Sequence, residues 1–154
     1  MYQKAKSFVH GHTYGGNPLS CAVALAVQQY VQQHDLVARC AQMGELMLSK
    51  LKPLEDLPIV GEVRGKGLLI GIEFVADKES HAPFDPGLGI TARVVDKAFE
   101  QGVLVMPGAP GLVDGVAGDH IAISPPFTVT EDQVQQVVDV LAASIRSVAG
   151  DLGY

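Results

Sequence analysis

Gly67-Leu68-Leu69-Ile70-Gly71-Ile72-Glu73-Phe74-Val75 is apolar almost throughout. A short apolar run rich in branched and aromatic residues reads as a strand, covered on both faces or lying at a close packing seam. Ile59 to Val63 reads as a strand just before it. Residues 76–89 carry Pro83, Pro86 and several charges and read as a surface loop. Residues 90–101 place apolar side chains at helical spacing, at 90, 94, 95, 98 and 99, and Gly102 stops that helix. Val103 to Met106 is a short strand, and residues 107–118 form a loop with four glycines. His120 to Ser124 is another strand, ended by Pro125-Pro126. Thr130-Glu131-Asp132-Gln133 is a capping box, opening a helix with Val134, Val138, Leu141 and Ile145 on one face. From Ile59 onward the order is β-β-α-β-β-α. That order predicts an α+β layer, a short sheet with helices on one face.

Two helices are expected upstream. Leu19, Ala22, Val23, Ala26, Val27 and Tyr30 recur at helical spacing over residues 18–33. A second stripe, Leu36, Val37, Cys40, Met43, Met47 and Leu51, follows Asp35 as N-cap and stops at Pro53. The division expected is therefore a loop with two helices over residues 1–52 and the α+β domain over residues 53–154.

The 154 residues suffice for one domain with a real core, and 47% of them are hydrophobic, a globular composition. The net charge of −6, with no run of Lys or Arg, argues against nucleic acid and anionic membranes as partners. Gln, Glu or Gly interrupts every long apolar window, so no transmembrane span is expected. No signal peptide is expected after Met1. Cys21 and Cys40 are too few for a disulfide framework and read as buried thiols in a reducing cytoplasm.

The segment His10-Gly11-His12-Thr13-Tyr14-Gly15-Gly16-Asn17-Pro18-Leu19 carries the most chemistry. Helix starts present unpaired N–H groups and a positive dipole end, glycines admit close approach, and the Thr13 hydroxyl donates a hydrogen bond. Three readings stand side by side. One is a phosphate-holding corner. Another is a plain loop-to-helix junction, with Asn17 as N-cap and Pro18 in the first turn. The third is a metal ligand pair at His10 and His12, for which no third ligand with metal spacing follows.

Four separated strings occur together in order: His10 to Leu19, Gly61 to Leu68, Ala76-Asp77-Lys78 to Phe84-Asp85-Pro86, and Gly118-Asp119-His120 to Pro125-Pro126-Phe127. In that order and at about that spacing they resemble the class III (omega) pyridoxal-phosphate-dependent aminotransferases. The branch they resemble most acts on amines or omega-amino acids with pyruvate as partner. The resemblance covers the C-terminal part of such an enzyme. It implies the small C-terminal domain of a fold-type I transferase, preceded by a helical arm that is a remnant of the junction between domains.

It also implies a cofactor contact. The threonine matching Thr13 donates to the pyridoxal 5'-phosphate (PLP) phosphate held by the other subunit, and the backbone N–H of His12 is the donor beside it. A homodimer, or association with a large domain, is the expected assembly. The Schiff-base lysine, the acidic partner of the ring nitrogen and the stacking aromatic residue precede the matching strings in the family. None of Lys4, Lys6, Lys50, Lys52, Lys66, Lys78 and Lys97 matches that lysine. No catalytic residue is therefore assigned, and the chain by itself is expected not to turn over. A non-catalytic binding or oligomerisation module is the alternative. For such a module, cutting away a large domain is expected to leave both upstream helices with exposed apolar surface.

Three further residues are weighed. Arg64 offers a planar fork for a substrate carboxylate, but the matching family string is mainly architectural. Many members carry a carboxylate-binding arginine before the Pro-Pro turn, and residues 112–119 contain none. The amino donor stays unassigned on that ground. Asp119 and His120 read either as an acid/base pair or as a turn residue followed by a partly exposed strand residue.

Overall fold

The computed structural model describes residues 10–154. It divides into two compact units, the first extending to Leu36 and the second running from Val37 to Tyr154. In the first unit, a turn at residues 13–16 leads into helix α1 (Pro18–Gln33). The Asn17 side chain accepts the Ser20 N–H at 3.0 Å, and Pro18 sits in the first turn, where a missing N–H costs nothing. No residue of α1 is buried.

Helix α2 (Leu36–Leu51) follows directly. Asp35 does not take the extended geometry of an N-cap. It is left-handed at φ 47°, and its N–H donates to the Gln32 carbonyl. Asp tolerates that region better than most residues, which permits so short a link between two helices. Pro53 ends α2 by tightening the chain into a 3-10 turn (Lys52–Asp56). Unlike α1, α2 is not bare: Met43, Met47 and Leu51 are buried in the main core. The expectation that both helices would stand uncovered holds for α1 alone.

The sheet has four strands in the order β1-β2-β4-β3, antiparallel throughout. Strand β1 (Val60–Lys66) and strand β2 (Leu69–Phe74) form a hairpin across Gly67-Leu68, with Lys66 opposite Leu69. Gly67 has φ 56°, and a β-carbon on Gly44 of α2 would collide with its backbone. Helix and hairpin thus meet backbone to backbone, which only glycine allows.

Strand β2 corrects the expectation of a strand covered on both faces. Ile70, Ile72 and Phe74 are buried, while Leu69 is 64% exposed and Glu73 half-buried. The strand obeys a two-residue period with one face inward. Its outward residues happen to be Leu69, Gly71 and Glu73, so two of the three are not polar and the alternation is masked.

Helix α3 (Ile90–Glu100) leads to strand β3 (Met106–Pro107), much shorter than Val103 to Met106 suggested. Val103 and Val105 are buried and Leu104 exposed, so the segment does alternate. Met106 pairs with Ala122, a register that sets Leu104 opposite Ser124, immediately before Pro125-Pro126. Prolines cannot donate to a ladder, so pairing ends there. Strand β4 (Asp119–Ile123) lies between β2 and β3. Helix α4 (Glu131–Leu152) begins at Thr130 with both halves of the capping box formed.

The core lies between the inner sheet face and helices α2, α3 and α4, with Met47, Leu51, Ile72, Val94, Ile121 and Ile145 all fully buried. Side-chain bonds tie these helices down. Arg39 of α2 donates to the Phe127 and Val129 carbonyls at 3.1 and 2.6 Å. Gln101, just after α3, donates to the buried Ser144 hydroxyl of α4 at 3.1 Å. Ile72 is at the centre of this core, so Ile72→Ala should cost about 2–5 kcal/mol in denaturant unfolding. The outward-facing Leu69→Ala should cost well under 1 kcal/mol, and equal losses at the two sites would contradict the one-sided burial.

Candidate functional site

The arm presents its chemistry on the turn before α1. Gly15 N–H donates to the His12 carbonyl at 2.8 Å, Asn17 N–H to the Tyr14 carbonyl at 3.1 Å, and Gly16 takes φ 75°. Thr13 and His12 are both exposed on this turn. The helix start itself has little left to offer an anion. Pro18 has no N–H, that of Ser20 is held by the Asn17 side chain, and that of Cys21 goes to the Asn17 carbonyl. Only the Leu19 N–H remains among the first four. The junction reading of this segment therefore describes its geometry. The exposed Thr13 hydroxyl, the turn backbone and the Leu19 N–H are the donors this junction leaves, with the helix dipole as a weak supporting field.

The rings of His10 and His12 meet edge to face, centroids 5.0 Å apart. No group of three or more His, Cys, Asp or Glu among the described residues is placed to hold a metal.

The second unit holds the other candidates. Arg64 donates to Glu62 at 2.6 Å and to Glu73 at 3.3 Å on the outer sheet face. Burial acts to lower its pKa, but the bonds to Glu62 and Glu73 outweigh that and raise it. A substrate carboxylate would have to displace two resident ones, so the guanidinium serves the sheet. Asp119 and His120 likewise serve the fold. Helix α3 starts at Gly89, which has no side chain to cap it. Asp119 supplies the cap from another strand, accepting the Thr91 N–H at 2.9 Å and its hydroxyl at 2.8 Å. His120 N–H donates to the same hydroxyl at 3.1 Å, and its ring packs where a β-carbon on Gly108 would collide. Sequence reasoning missed this cap; a helix beginning at a bare glycine was the signal that a cap had to come from elsewhere.

The described lysines are spread over the surface. Lys50 donates to Gln135 at 2.7 Å, Lys52 to Glu55 at 2.8 Å, and Lys97 to Ser147 at 2.9 Å. Lys78 binds the Glu55 and Leu57 carbonyls, and Lys66 is exposed at the hairpin end. A lysine that forms imines is typically held in a dry pocket, and none of these is buried; Lys97 shares the Asp151 carboxylate with Arg93. Lys4 and Lys6 lie outside the described residues.

Three cavities stand out among the described residues, one of them a shallow space of about 220 Å³ between α2 and the hairpin end that Glu45 and Lys66 both line. An apolar cleft of about 410 Å³ runs beside β3, lined by Leu104, Met106, Pro107, Ile123, Pro125 and Val137 among others. A smaller one, about 260 Å³, lies between the loop at residues 107–118 and the start of α3, with Thr91 and Asp119 on its wall. Neither of these two gathers a nucleophile with a base. Cys21 is exposed and Cys40 half-buried, not the pair of buried thiols expected, because Cys21 sits on uncovered α1. No helix among the described residues is long and apolar enough to cross a membrane.

Comparison with known proteins gives this arrangement its context. The family model for class-III aminotransferases matches residues 1–145. An aminotransferase of Bacillus subtilis is 37% identical over 143 residues, covering 92% of this chain and 32% of that protein. The adenosylmethionine-8-amino-7-oxononanoate aminotransferase of Geobacter sulfurreducens is 36% identical, over 97% of this chain and 31% of that protein. Among solved structures, the amine transaminase of an uncultivated Pseudomonas species in its PLP-bound form superposes with a TM-score of 0.80 at 40% identity. The (S)-enantioselective omega-transaminase of Thermomicrobium roseum does so with a TM-score of 0.80 at 33% identity. These cover 93% and 92% of this chain but 30% of each neighbour. The chain thus spans about a third of the length of the relatives it matches, and its α+β sheet with a helical arm is found in PLP-dependent transaminases. By sequence and by fold, it belongs to the class-III aminotransferase family.

Proposed function

We propose that this chain is the C-terminal, small-domain portion of a PLP-dependent enzyme that moves an amino group from an amine or omega-amino acid to a keto acid such as pyruvate. The observation that carries the reading is the family match across residues 1–145, joined to four structural features of the chain itself. The Thr13 hydroxyl stands exposed on a glycine-rich turn, fit to donate to a phosphate oxygen, with the His12 backbone N–H as second donor. The loop at residues 107–118 carries no cation, which suits an amine without an α-carboxylate. None of the described lysines is buried, and Asp119, which lines the cavity at the start of α3, is already bonded to Thr91. The cofactor's phosphate therefore fits this chain, and its ring does not.

Bound PLP supplies an electron-withdrawing ring that makes the proton on the amine-bearing carbon removable. This chain's residues hold and orient: Thr13 and the turn anchor the anionic end, and α2, α3 and α4 keep the sheet rigid. Removing and returning the proton requires a lysine that the described residues do not provide. Turnover in this reading depends on a large domain, and residues 1–52 mark the junction to it, with residues 53–154 as the small domain. A homodimer is the assembly in which an arm threonine of one subunit reaches the cofactor of the other. A cytoplasmic setting accords with the two free thiols.

A second reading is a non-catalytic binding or oligomerisation module. The exposure of α1 favours it: Leu19, Val23, Leu25, Val27 and Tyr30 are each at least half exposed. A helix apolar on most sides is normally buried.

Three measurements test these readings. The purified chain mixed with PLP, an amine and pyruvate should give no alanine and, after borohydride, no lysine adduct; amine transfer by the chain alone would overturn the assignment. In a complete enzyme carrying this segment, Thr13→Ala should weaken PLP binding about 10- to 100-fold, with Thr13→Ser largely restoring it. Unchanged affinity in both variants would remove Thr13 from the phosphate site. Sedimentation of the chain across a concentration series should show self-association, and a monomer at every concentration would sink the module reading.

A further inference from the structure

Strand β1 is the long open edge of the sheet, since β2 is its only strand partner among the described residues. The opposite edge, β3, is two residues long and ends in Pro107. An open edge presents a row of N–H and C=O groups to which another chain's strand can add. Along an antiparallel strand, the N–H and C=O of one residue point to the same side, and successive residues alternate.

On the outward side of β1, the Val63 N–H donates to Glu55 Oε1 at 2.7 Å. Glu55 belongs to the 3-10 turn Lys52–Asp56, which packs along β1. Lys52 Nζ holds the same carboxylate oxygen at 2.8 Å. Lys78 Nζ secures the backbone beside it, donating to the carbonyls of Glu55 and, at 3.3 Å, Leu57. By the alternation, Gly65 shares the outward side with Val63, and Arg64, Gly65 and Lys66 are exposed.

We infer that Glu55 is a latch that closes the β1 edge against strand addition by β1 of a second copy of this chain. Two copies set antiparallel with Val63 facing Gly65 would exchange both outward hydrogen bonds of that pair. The same register places Glu62 of each copy opposite Lys66 of the other, a favourable charge pairing repeated by symmetry. Arg64 would face its own counterpart, but each is already held by Glu62 and Glu73. Occupation of Val63 by Glu55 removes one bond from each half of that ladder. The bonds from Lys52 and from Val63, in that order, hold the Glu55 carboxyl below its ordinary pKa, in keeping with a carboxylate committed to this place. The inference rests on the sheet edge alone and is independent of the aminotransferase reading.

Hydrogen exchange at the β1 amides of the full chain tests it, because association through α1 leaves those amides untouched. In dilute Glu55→Ala, the Val63 amide should exchange about tenfold faster than in the native chain. As concentration rises, the Val63 and Gly65 amides of that variant should become protected together. Glu55→Gln keeps an acceptor at the same reach and should behave as the native chain does. Glu55→Ser, too short to reach Val63, takes the place of Glu55→Ala if circular dichroism shows the latter unfolded. A Gly65 amide whose exchange ignores concentration, or a Glu55→Gln variant that pairs as readily as Glu55→Ala, would overturn the latch.

Discussion

Everything in the second unit hangs on burying one face of a four-stranded antiparallel sheet. Ile70, Ile72 and Phe74 of β2 and Ile121 and Ile123 of β4 point the same way, and α2, α3 and α4 close over them. The hydrophobic effect has no direction, but the strand period does: a slip of one residue would turn all five side chains to water. That penalty sets the register, and register sets the rest. It brings Asp119 to the start of α3 and Arg64 between Glu62 and Glu73. It also aims the Val63 N–H at Glu55.

Side chains that look catalytic in the linear sequence are thereby consumed by the architecture. Asp119 completes a helix whose own first residue cannot cap itself, and Arg64 balances two carboxylates on an otherwise solvated sheet face. A buried or half-buried polar group must find partners inside the protein, and once it has them it is costly to recruit for a ligand. Lys50, Lys52, Lys78 and Lys97 tell the same story from outside, each bonded to a neighbour. Thr13, by contrast, keeps its hydroxyl exposed on a turn, ahead of a helix none of whose residues is buried.

That division of labour suits a protein whose matched relatives are about three times its span. In the proposed reading, the small domain supplies rigidity and an anchoring donor, and the reacting groups lie elsewhere. Helices α1 and α2 differ sharply in burial. Both have apolar stripes of similar length, yet one is spent on the core and the other stays bare.

Much was legible from residue order. Helix α4 and its capping box, α3 with its apolar stripe, the Pro18 start of α1 and the α+β order all follow from local rules of period, cap and breaker. The family likeness followed from four strings in order. Sequence period did not show that β2 has one bare face, because Leu69 and Gly71 are apolar or featureless residues pointing outward. Nor did it show that β3 would shrink to two residues, since its length depends on prolines in another strand. The site followed the same split. Thr13 is a candidate by its setting among glycines alone, whereas the roles of Asp119, Arg64, Arg39 and Glu55 are written in contacts between different elements of the fold. Local chemistry is encoded within a few residues and can be read there; partnership is decided by which surfaces the core brings together, and only the folded chain holds that information.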